Sequence, residues 1–196
     1  MITFGLTGGI ACGKSTVTKT FRKNNIPIVD ADIIAREVVV PGSIGNEKIM
    51  RRFGSPYFNQ DGTLDRVKLA ALVFTNQLAM SQLNIIMKPL IESESDAQIA
   101  KLHAEGHSVV GYDAALIIEQ GNANKYRPLI VVSCPQATQI ARLMSRNDLT
   151  EEQAMSRINA QMSVEDKVKM ADYVVDTSGT IENSIKQTEA IINNWR

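Results

Sequence analysis

A run of small residues and one lysine near the start of the chain has the spacing of a phosphate-binding loop. Residues 8–16 are GGIACGKST, which fits G-x-x-x-x-G-K-[ST] after the apolar run 2–6. Small residues allow a sharp turn from strand to helix, so that backbone N–H groups converge on phosphate oxygens at the helix N-terminus. We expect Lys14 to contact the β- and γ-phosphates and the Ser15 hydroxyl to bind Mg²⁺. The motif therefore predicts a protein that binds a nucleoside triphosphate.

The whole loop, and not only its lysine, supplies the predicted contacts to ATP. The alternative is a glycine-rich turn with a chance lysine. We favour the functional interpretation, because a strand pattern precedes the loop and a helix pattern follows it, as the motif requires. The residues predicted to contact ATP are Gly8, Gly9, Ala11, Cys12, Gly13, Lys14, Ser15 and Thr16, of which Thr16 also supports the first helical turn.

Three aspartates follow apolar strands, at the edge where ligands bind in doubly wound sheets. Asp30 and Asp32 form the sequence DAD after the second strand, and they predict a base for an attacking hydroxyl and a carboxylate near the metal. The alternative for this pair is capping of the next helix. Asp113 ends the third strand and is a further candidate Mg²⁺ residue, with turn chemistry as an equal alternative.

Three arginines between the fourth and fifth strands match the geometry of phosphate groups. Arg142 and Arg146 are four residues apart and share a helix face, and Arg157 follows in the same polar stretch. Guanidinium forks bind phosphate oxygens in pairs, and closure of a lid over a triphosphate needs such side chains. The alternative is an ordinary solvated face of the helix.

The histidines and cysteines do not have the arrangement of a metal site. His103 and His107 are four residues apart, but the zinc-protease order H-E-x-x-H is absent. Cys12 and Cys134 lack metal-ligand spacing and cannot build a disulfide framework. We expect both cysteines to be small buried thiols.

Length and composition indicate one compact domain with an insertion. The chain has 196 residues, of which 44% are hydrophobic, enough for a sizeable core. Lys and Arg number 21 and Asp and Glu also number 21, so no net charge favours nucleic acid or an acidic membrane. No apolar run approaches the roughly 20 residues that span a bilayer, and the first strand leaves no room for a signal peptide. We expect a cytoplasmic protein without an obligatory protein partner.

Apolar runs alternate with helical patterns, which predicts an α/β fold with helices on both faces of a parallel sheet. The first helix is predicted at 14–24, with Val17 and Phe21 on its inner face. The last is predicted at 181–195, and its predicted inward residues are Ile181, Ile185, Ile192 and Trp195. The five predicted strands are 2–6, 26–30, 108–113, 129–134 and 173–176.

Two longer segments interrupt this alternation. Residues 36–107 contain helical patterns at 46–53, 65–74 and 77–102, and we expect a helical insertion that covers a substrate. The predicted breaks in this segment are Pro41, Gly54, Pro56, Gly62 and Pro89, the last of which lies inside the pattern 77–102. Residues 142–169 are charged on most faces, with a capping box predicted at Thr150. This stretch predicts a mobile helical hairpin that acts as a lid.

The order of these motifs resembles the dephospho-coenzyme A kinase family. The matching segments span residues 2–179, and the most specific of them is VDADIIAREVV, directly after the first helix. The other segments are FGLTGGIACGKSTV, DGTLDR, KPLI, ARLMSRND, SRINAQM and KMADYVVDTSG.

The resemblance implies a fold, a division into domains and a reaction. The fold is a three-layer P-loop kinase fold with a five-stranded parallel sheet, whose core comprises 1–35, 108–141 and 170–196. A helical acceptor-binding (CoA) domain comprises 36–107 and a helical lid 142–169. The reaction is ATP-dependent phosphorylation of the ribose 3′-hydroxyl of dephospho-coenzyme A, the last step of coenzyme A synthesis, with Mg²⁺.

The resemblance also implies roles for individual residues. Asp32 matches the proposed base, and Lys14 and Arg142 complete the expected catalytic set, with Arg146 also on the nucleotide side. Thr7 matches a residue near the transferred phosphate. The residues expected on the substrate side are Thr7, Asp30, Asp32, Lys88 and Arg157.

Some positions depart from the pattern of the family. Ala11 replaces a usual glycine, which narrows the backbone freedom of the loop. Lys88 stands where the family has His before Pro, and a cation there is still able to meet a phosphate. Thr177 stands where Asn commonly lies near the adenine.

Two other functions fit the loop without the resemblance. A kinase for another nucleotide or small metabolite has a similar loop and lid. A non-catalytic nucleotide switch is the second, but the guanine-binding signature N-K-x-D is missing, because Arg127 stands at the position of the final Asp.

Overall fold

The chain divides into two compact units that each have their own apolar core. The structure is a computed structural model that describes residues 1–195. One unit comprises Met1–Val29 and the residues from Lys101 onward, and the other comprises Asp30–Ala100. The predicted roles of acceptor domain and lid stay predictions.

Parallel strands form the sheet, with β1 at its centre. The sheet order is β2-β3-β1-β4-β5, and β1 pairs in parallel with both β3 and β4. The strands are β1 (Ile2–Gly8), β2 (Ile28–Asp30), β3 (Val109–Asp113), β4 (Leu129–Ser133) and β5 (Tyr173–Asp176). The five predicted strands and the α/β class are confirmed, although β1 continues two residues past the predicted Leu6 and β2 begins only at Ile28.

Helices fill the connections between these strands. In chain order they are α1 (Lys14–Lys23), α2 (Ala31–Glu37), α3 (Ile44–Phe53), α4 (Arg66–Thr75), α5 (Gln77–Ala104), α6 (Gln136–Asn147), α7 (Glu151–Asn159), α8 (Val164–Lys169) and α9 (Ile181–Asn193), with a short 3-10 helix at Ser55–Tyr57.

The register of β1 and β3 pairs Leu6 with Asp113. This pairing brings the carboxyl end of β3 beside the last residues of β1.

Aromatic rings join α1 to the sheet and to the end of the chain. The ring centroids of Phe4 on β1 and Phe21 on α1 lie 4.6 Å apart, and that of Trp195 lies 4.9 Å from Phe4. Val17 and Phe21 are fully buried, as predicted. This cluster fixes the axis of the helix whose first residue is Lys14.

The predicted inner face of α9 is correct except at its first residue. Ile192 is buried, but Ile181 is 63% exposed, so its predicted inward position is wrong. Helical periodicity puts Ile181 on the face of Ser184 and Thr188, both buried, but it lies in the first turn directly after the Thr180 cap. The periodicity of a sequence predicts the face of the helix on which a residue lies. It does not predict how far along the helix the apolar core extends.

The helical unit Asp30–Ala100 has a core of its own around Val39, Ile49, Leu69 and Val73. The predicted break at Pro89 is wrong, because α5 continues through it. A proline inside a helix costs about 3 kcal/mol. Packing on this core offsets that cost, since α5 contributes Met80, Leu83, Ile86 and Met87 to the cluster.

The segment 142–169 is less polar in structure than its sequence suggests. The predicted capping box is confirmed, since Thr150 Oγ1 accepts from the Gln153 N–H and Gln153 Oε1 accepts from the Thr150 N–H. One side of this charged stretch is nevertheless buried, and its predicted role as a mobile lid stays a prediction. Leu143 on α6 packs with Ala154 and Ile158 on α7 in a buried cluster. A few apolar residues at spacings of three and four are enough to bury one side of each helix.

We predict that Leu143→Ala lowers the free energy of unfolding by about 3 kcal/mol, because Leu143 is fully buried in this cluster. The matched control is Met144→Ala, at a side chain that is 38% exposed, where we expect a loss below about 1 kcal/mol. Urea unfolding measures both. Equal losses for the two variants contradict the buried face of α6.

Candidate active site

The loop between β1 and α1 turns through two residues in the left-handed backbone region. Ala11 has φ 60° and Gly13 has φ 79°. The Cys12 N–H donates to the Gly9 carbonyl across 3.1 Å and closes a tight turn. In this region an L-residue such as Ala11 is strained by roughly 1–2 kcal/mol. The alanine that replaces the usual glycine of the family is therefore held in a strained backbone conformation.

The two glycines at the end of β1 are required by packing. A Cβ atom on Gly8 would lie 2.6 Å from the Val132 carbonyl oxygen. A Cβ atom on Gly9 would lie 2.5 Å from Val164 Cγ2 and 2.6 Å from Gln139 Nε2. These approaches are closer than van der Waals contact allows, so the loop sits directly on β4, α6 and α8.

The N-terminus of α1 is suited to an anionic ligand. Among residues 1–195, no side chain caps it, and its N-cap is Gly13. The first N–H groups of a helix lack intrahelical partners, and the helix dipole adds partial positive charge there. Ser15 lies in this first turn and is exposed, whereas Thr16 is half-buried. This arrangement can bind phosphate oxygens through the backbone.

Lys14 pairs with the aspartate at the end of β3. The Lys14 ammonium donates to Asp113 Oδ1, and the Thr18 hydroxyl donates to Asp113 Oδ2 across 3.0 Å. Asp113 is buried, at 4% exposure, so its charge depends on these donors. The structure therefore brings together two residues that the sequence predicted separately, one for the phosphates and one for the metal.

Arg142 joins the loop to the segment after β5. Its Nη1 donates to the Ala11 carbonyl and to Thr177 Oγ1, each across 3.3 Å, and its Nη2 donates to the Thr177 carbonyl across 2.7 Å. The Thr177 hydroxyl in turn donates to the Cys12 carbonyl across 2.6 Å. Thr177 thus has a structural role that its position near a predicted adenine site did not indicate.

A cavity of about 470 Å³ opens beside this network. Its lining includes the predicted residues Ala11, Gly13, Arg142 and Arg146. Arg146 is exposed, and its Nε donates to Asn147 Oδ1 across 3.0 Å. The structure therefore places the two arginines that share a face of α6 at one opening next to the loop.

Two glutamines that sequence analysis missed hold the backbone of Ile10 in the loop, one at its carbonyl and one at its N–H. Gln139 Nε2 donates to the Ile10 carbonyl across 2.7 Å, and the Ile10 N–H donates to Gln161 Oε1 across 3.1 Å. Gln139 is buried. Gln161 lies in the segment SRINAQM that supports the resemblance, whereas nothing in the sequence marks Gln139 apart from other polar residues of α6.

A fully buried lysine was also missed. Lys167 Nζ donates to the Ala115 carbonyl across 2.8 Å and pairs with Glu119 Oε1 at 2.9 Å. The same Ala115 carbonyl accepts from the hydroxyl of Thr7, which is fully buried on β1. Lys167 thereby connects α8, the segment after β3 and the strand that leads into the loop.

The predicted acceptor residues of the unit Asp30–Ala100 have distinct local settings. Asp30 caps α2, because its Oδ1 accepts from the N–H groups of Asp32 and Ile33 at 2.9 and 3.2 Å. Asp32 lies in the first turn of α2 and is exposed. Lys88 is on α5, where it pairs with Glu92 at 3.9 Å. The cap at Asp30 is thus observed, and the role of Asp30 toward a substrate stays a prediction.

The remaining candidates lie on the other unit. Arg157 is on α7 and exposed. His103 uses both ring nitrogens, with Nε2 2.9 Å from Thr3 Oγ1 and Nδ1 2.7 Å from the His107 carbonyl. Both contacts are structural and leave no free ring nitrogen on His103 for a metal.

Comparison with known proteins decides the family. A sequence profile described as Dephospho-CoA kinase matches residues 2–183. The chain belongs to the dephospho-CoA kinase family. It is 44% identical to a dephospho-CoA kinase of Bacillus cereus over 194 residues, which cover 99% of this chain and 97% of that protein.

Solved structures support the same family. A Thermus thermophilus protein superposes with a TM-score of 0.84 at 28% identity, covering 100% of this chain and 98% of that one. A dephospho-CoA kinase from Campylobacter jejuni superposes with a TM-score of 0.67 at 25% identity, covering 98% and 96%. The predicted resemblance, the P-loop kinase fold and the kinase class of enzyme are confirmed. None of the helices within residues 1–195 is both long and apolar enough to span a membrane.

We predict that Lys167→Met lowers the free energy of unfolding by about 3 kcal/mol, because it leaves Glu119 without its cation and removes one of the two donors to the Ala115 carbonyl. The control is Lys169→Met on the same helix, at an exposed side chain that pairs with Asp166. We expect no measurable change there, since exposed ion pairs contribute little. Chemical denaturation compares the two variants, and equal losses contradict a special role for Lys167.

Proposed function

We propose that this chain transfers the γ-phosphoryl group of ATP to the ribose 3′-hydroxyl of dephospho-coenzyme A, giving coenzyme A and ADP in the last step of coenzyme A synthesis. Membership of the family supports the substrate. The observation that carries the chemistry is the uncapped N-terminus of α1, with Lys14 paired to the buried Asp113 beside it. A loop of this kind neutralises and aligns a phosphoryl group for transfer.

We propose that the loop binds the phosphates through backbone N–H groups and Lys14. The residues involved are Gly8, Gly9, Ala11, Cys12, Gly13, Lys14, Ser15 and Thr16. A phosphate group that enters this site offers Lys14 a second anionic partner besides Asp113. The ammonium then lies between a fixed carboxylate and the transferring group, where it offsets the charge that develops during transfer.

The residues beside the loop fit Mg²⁺, which prefers oxygen ligands. Ser15 presents an exposed hydroxyl in the first turn of α1, and Asp113 is the nearby carboxylate. We propose that Ser15 holds the ion directly and that Asp113 orients its water. When bound, Mg²⁺ supplies neutralisation of phosphate charge.

Arg142 and Arg146 are proposed to contact the nucleotide. A guanidinium has five N–H donors, and three contacts of Arg142 are to the backbone or side chain of Ala11 and Thr177. Arg142 also lines the 470 Å³ cavity, as does Arg146. We propose that closure of the lid 142–169 brings Arg157 toward the substrate phosphates.

On the acceptor side, Asp32 is the proposed general base. Asp30 Oδ1 is engaged by two N–H groups, whereas the carboxylate of Asp32 is exposed and has no hydrogen-bond partner in the described part of the chain. A carboxylate without donors is available to accept the proton of the attacking hydroxyl. We propose Asp30, Lys88 and Thr7 as further residues on the acceptor side.

We place this reaction in the cytoplasm without an obligatory protein partner. The even balance of 21 basic and 21 acidic residues supports small-molecule substrates over nucleic acid.

We predict that dephospho-coenzyme A strongly stimulates ADP release from ATP and Mg²⁺, with coenzyme A as the product identified by mass spectrometry. A panel of nucleoside monophosphates and small alcohols provides the comparison. Lack of stimulation over ATP alone overturns the proposal, and faster turnover of a nucleoside monophosphate favours a different kinase. Nucleotide-dependent binding of a protein partner without any phosphorylated acceptor indicates a switch.

We predict that Asp32→Asn lowers kcat by about 10²-fold or more, since this is the usual contribution of a general base. The affinity for ATP should change little. Asp30→Asn is the matched control, because asparagine caps a helix as well as aspartate does. We expect it to keep most of the kcat, measured in the same ADP-release assay. If Asp30→Asn causes the larger loss, the two roles are reversed.

A further inference from the structure

The two cysteines of the chain lie in contact, although 122 residues separate them. Cys12 is in the loop before α1, and Cys134 directly follows β4. Their sulfur atoms are 3.2 Å apart, and both side chains are buried. A disulfide has an S–S length of about 2.05 Å, so a movement of about 1 Å would join them.

The surroundings distinguish the two thiols. The hydrogen bond with Cys12, the positive charge of Arg142 and a hydrogen bond with Thr177 lower the pKa of Cys134, against burial and the charge of Asp176. The hydrogen bond with Cys134 and burial raise the pKa of Cys12. Cys134 is therefore the more readily ionised sulfur, and thiolates are the reactive form of cysteine.

Cys134 borders a cavity that Cys12 does not border. A cavity of about 420 Å³ is lined by Cys134 together with Pro135, Val164, Val168, Asp176 and Ser178. Cys12 does not line this cavity and is only 1% exposed. A small oxidant therefore meets Cys134 first, with Cys12 immediately behind it.

We propose that Cys12 and Cys134 are a peroxide-sensitive site: hydrogen peroxide converts them to a disulfide that weakens ATP binding, and a thiol reductant restores it. The effect on ATP rests on the proposed function, whereas formation of the disulfide does not.

The chemistry has two steps. The Cys134 thiolate attacks one oxygen of hydrogen peroxide, the O–O bond breaks, and Cys134 sulfenic acid and hydroxide form. The Cys12 sulfur then attacks the sulfenic sulfur and displaces a second hydroxide, which takes up the Cys12 proton as water. In total, two thiols lose two electrons and two protons, and one peroxide becomes two waters.

The position of Cys12 explains why this bond should disturb the nucleotide site. Its N–H donates to the Gly9 carbonyl across 3.1 Å, and its carbonyl accepts from Thr177 across 2.6 Å. A sulfur drawn toward Cys134 pulls on a residue whose backbone is held on both sides. Gly13 and Lys14 follow directly, so the N–H groups that face the phosphates lose their alignment.

The test compares reduced and peroxide-treated wild-type protein. After peroxide is removed with catalase, alkylation and intact-mass spectrometry should show no free thiol and a loss of two hydrogens per chain. The Kd for ATP should rise about tenfold, as for loss of one hydrogen bond to a charged group, and dithiothreitol should reverse it. In a thiol–disulfide redox buffer, saturating ATP and Mg²⁺ should shift the equilibrium toward the reduced form, because binding and disulfide formation oppose each other.

Cys134→Ser is the control, with Cys134→Ala as a second variant in case the serine disturbs folding. Both should bind ATP as the reduced wild type does and keep that Kd after peroxide. Disulfide-linked dimers, sulfinic acid without an internal disulfide, or a disulfide that leaves the Kd unchanged each overturn the proposal. If reduced protein does not bind ATP, the proposed function and the effect on ATP both fail, while the mass measurement still decides whether the disulfide forms.

Discussion

Three successive carbonyl groups of the loop between β1 and α1 accept hydrogen bonds from side chains of other elements. Ile10 receives one from Gln139, Ala11 from Arg142 and Cys12 from Thr177. In a tight turn the N–H groups point away from the carbonyls, so anchoring the carbonyls fixes the direction of the donors. The preorganised donors that anion binding needs therefore depend on α6 and on the segment after β5, and not on the glycines alone.

The end of β3 organises the charges around this loop. Asp113, its last residue, pairs with Lys14, and the segment that follows supplies the partners of Lys167. Buried charges cost free energy unless they are paired, so both lysines depend on residues 113–119. One short stretch thus serves two purposes: it pairs with the lysine of the loop and it anchors a second lysine that is fully buried.

Local features of the sequence predicted local structure well. The loop motif, the capping box at Thr150 and the inner face of α1 each depend on neighbours within a few residues, and each is confirmed. The contact of Cys12 with Cys134 depends on how β4 lies beside β1, which a single sequence does not specify. The same holds for Gln139 and Lys167, whose partners are distant in the chain. Continuation of α5 through Pro89 depends on packing that outweighs a local preference.

Hydrogen bonds from side chains hold both ends of the segment after β4. Arg142 and Gln139 hold α6, while Gln161 and Lys167 hold the chain at and beyond the end of α7. Release of either end would leave a buried polar group without a hydrogen-bond partner. Between them, α7 is attached mainly through Ala154 and Ile158, two modest apolar side chains. In the proposed closure of the lid, residues 148–160 are therefore the part that none of these hydrogen bonds holds, and Arg157 lies on this part.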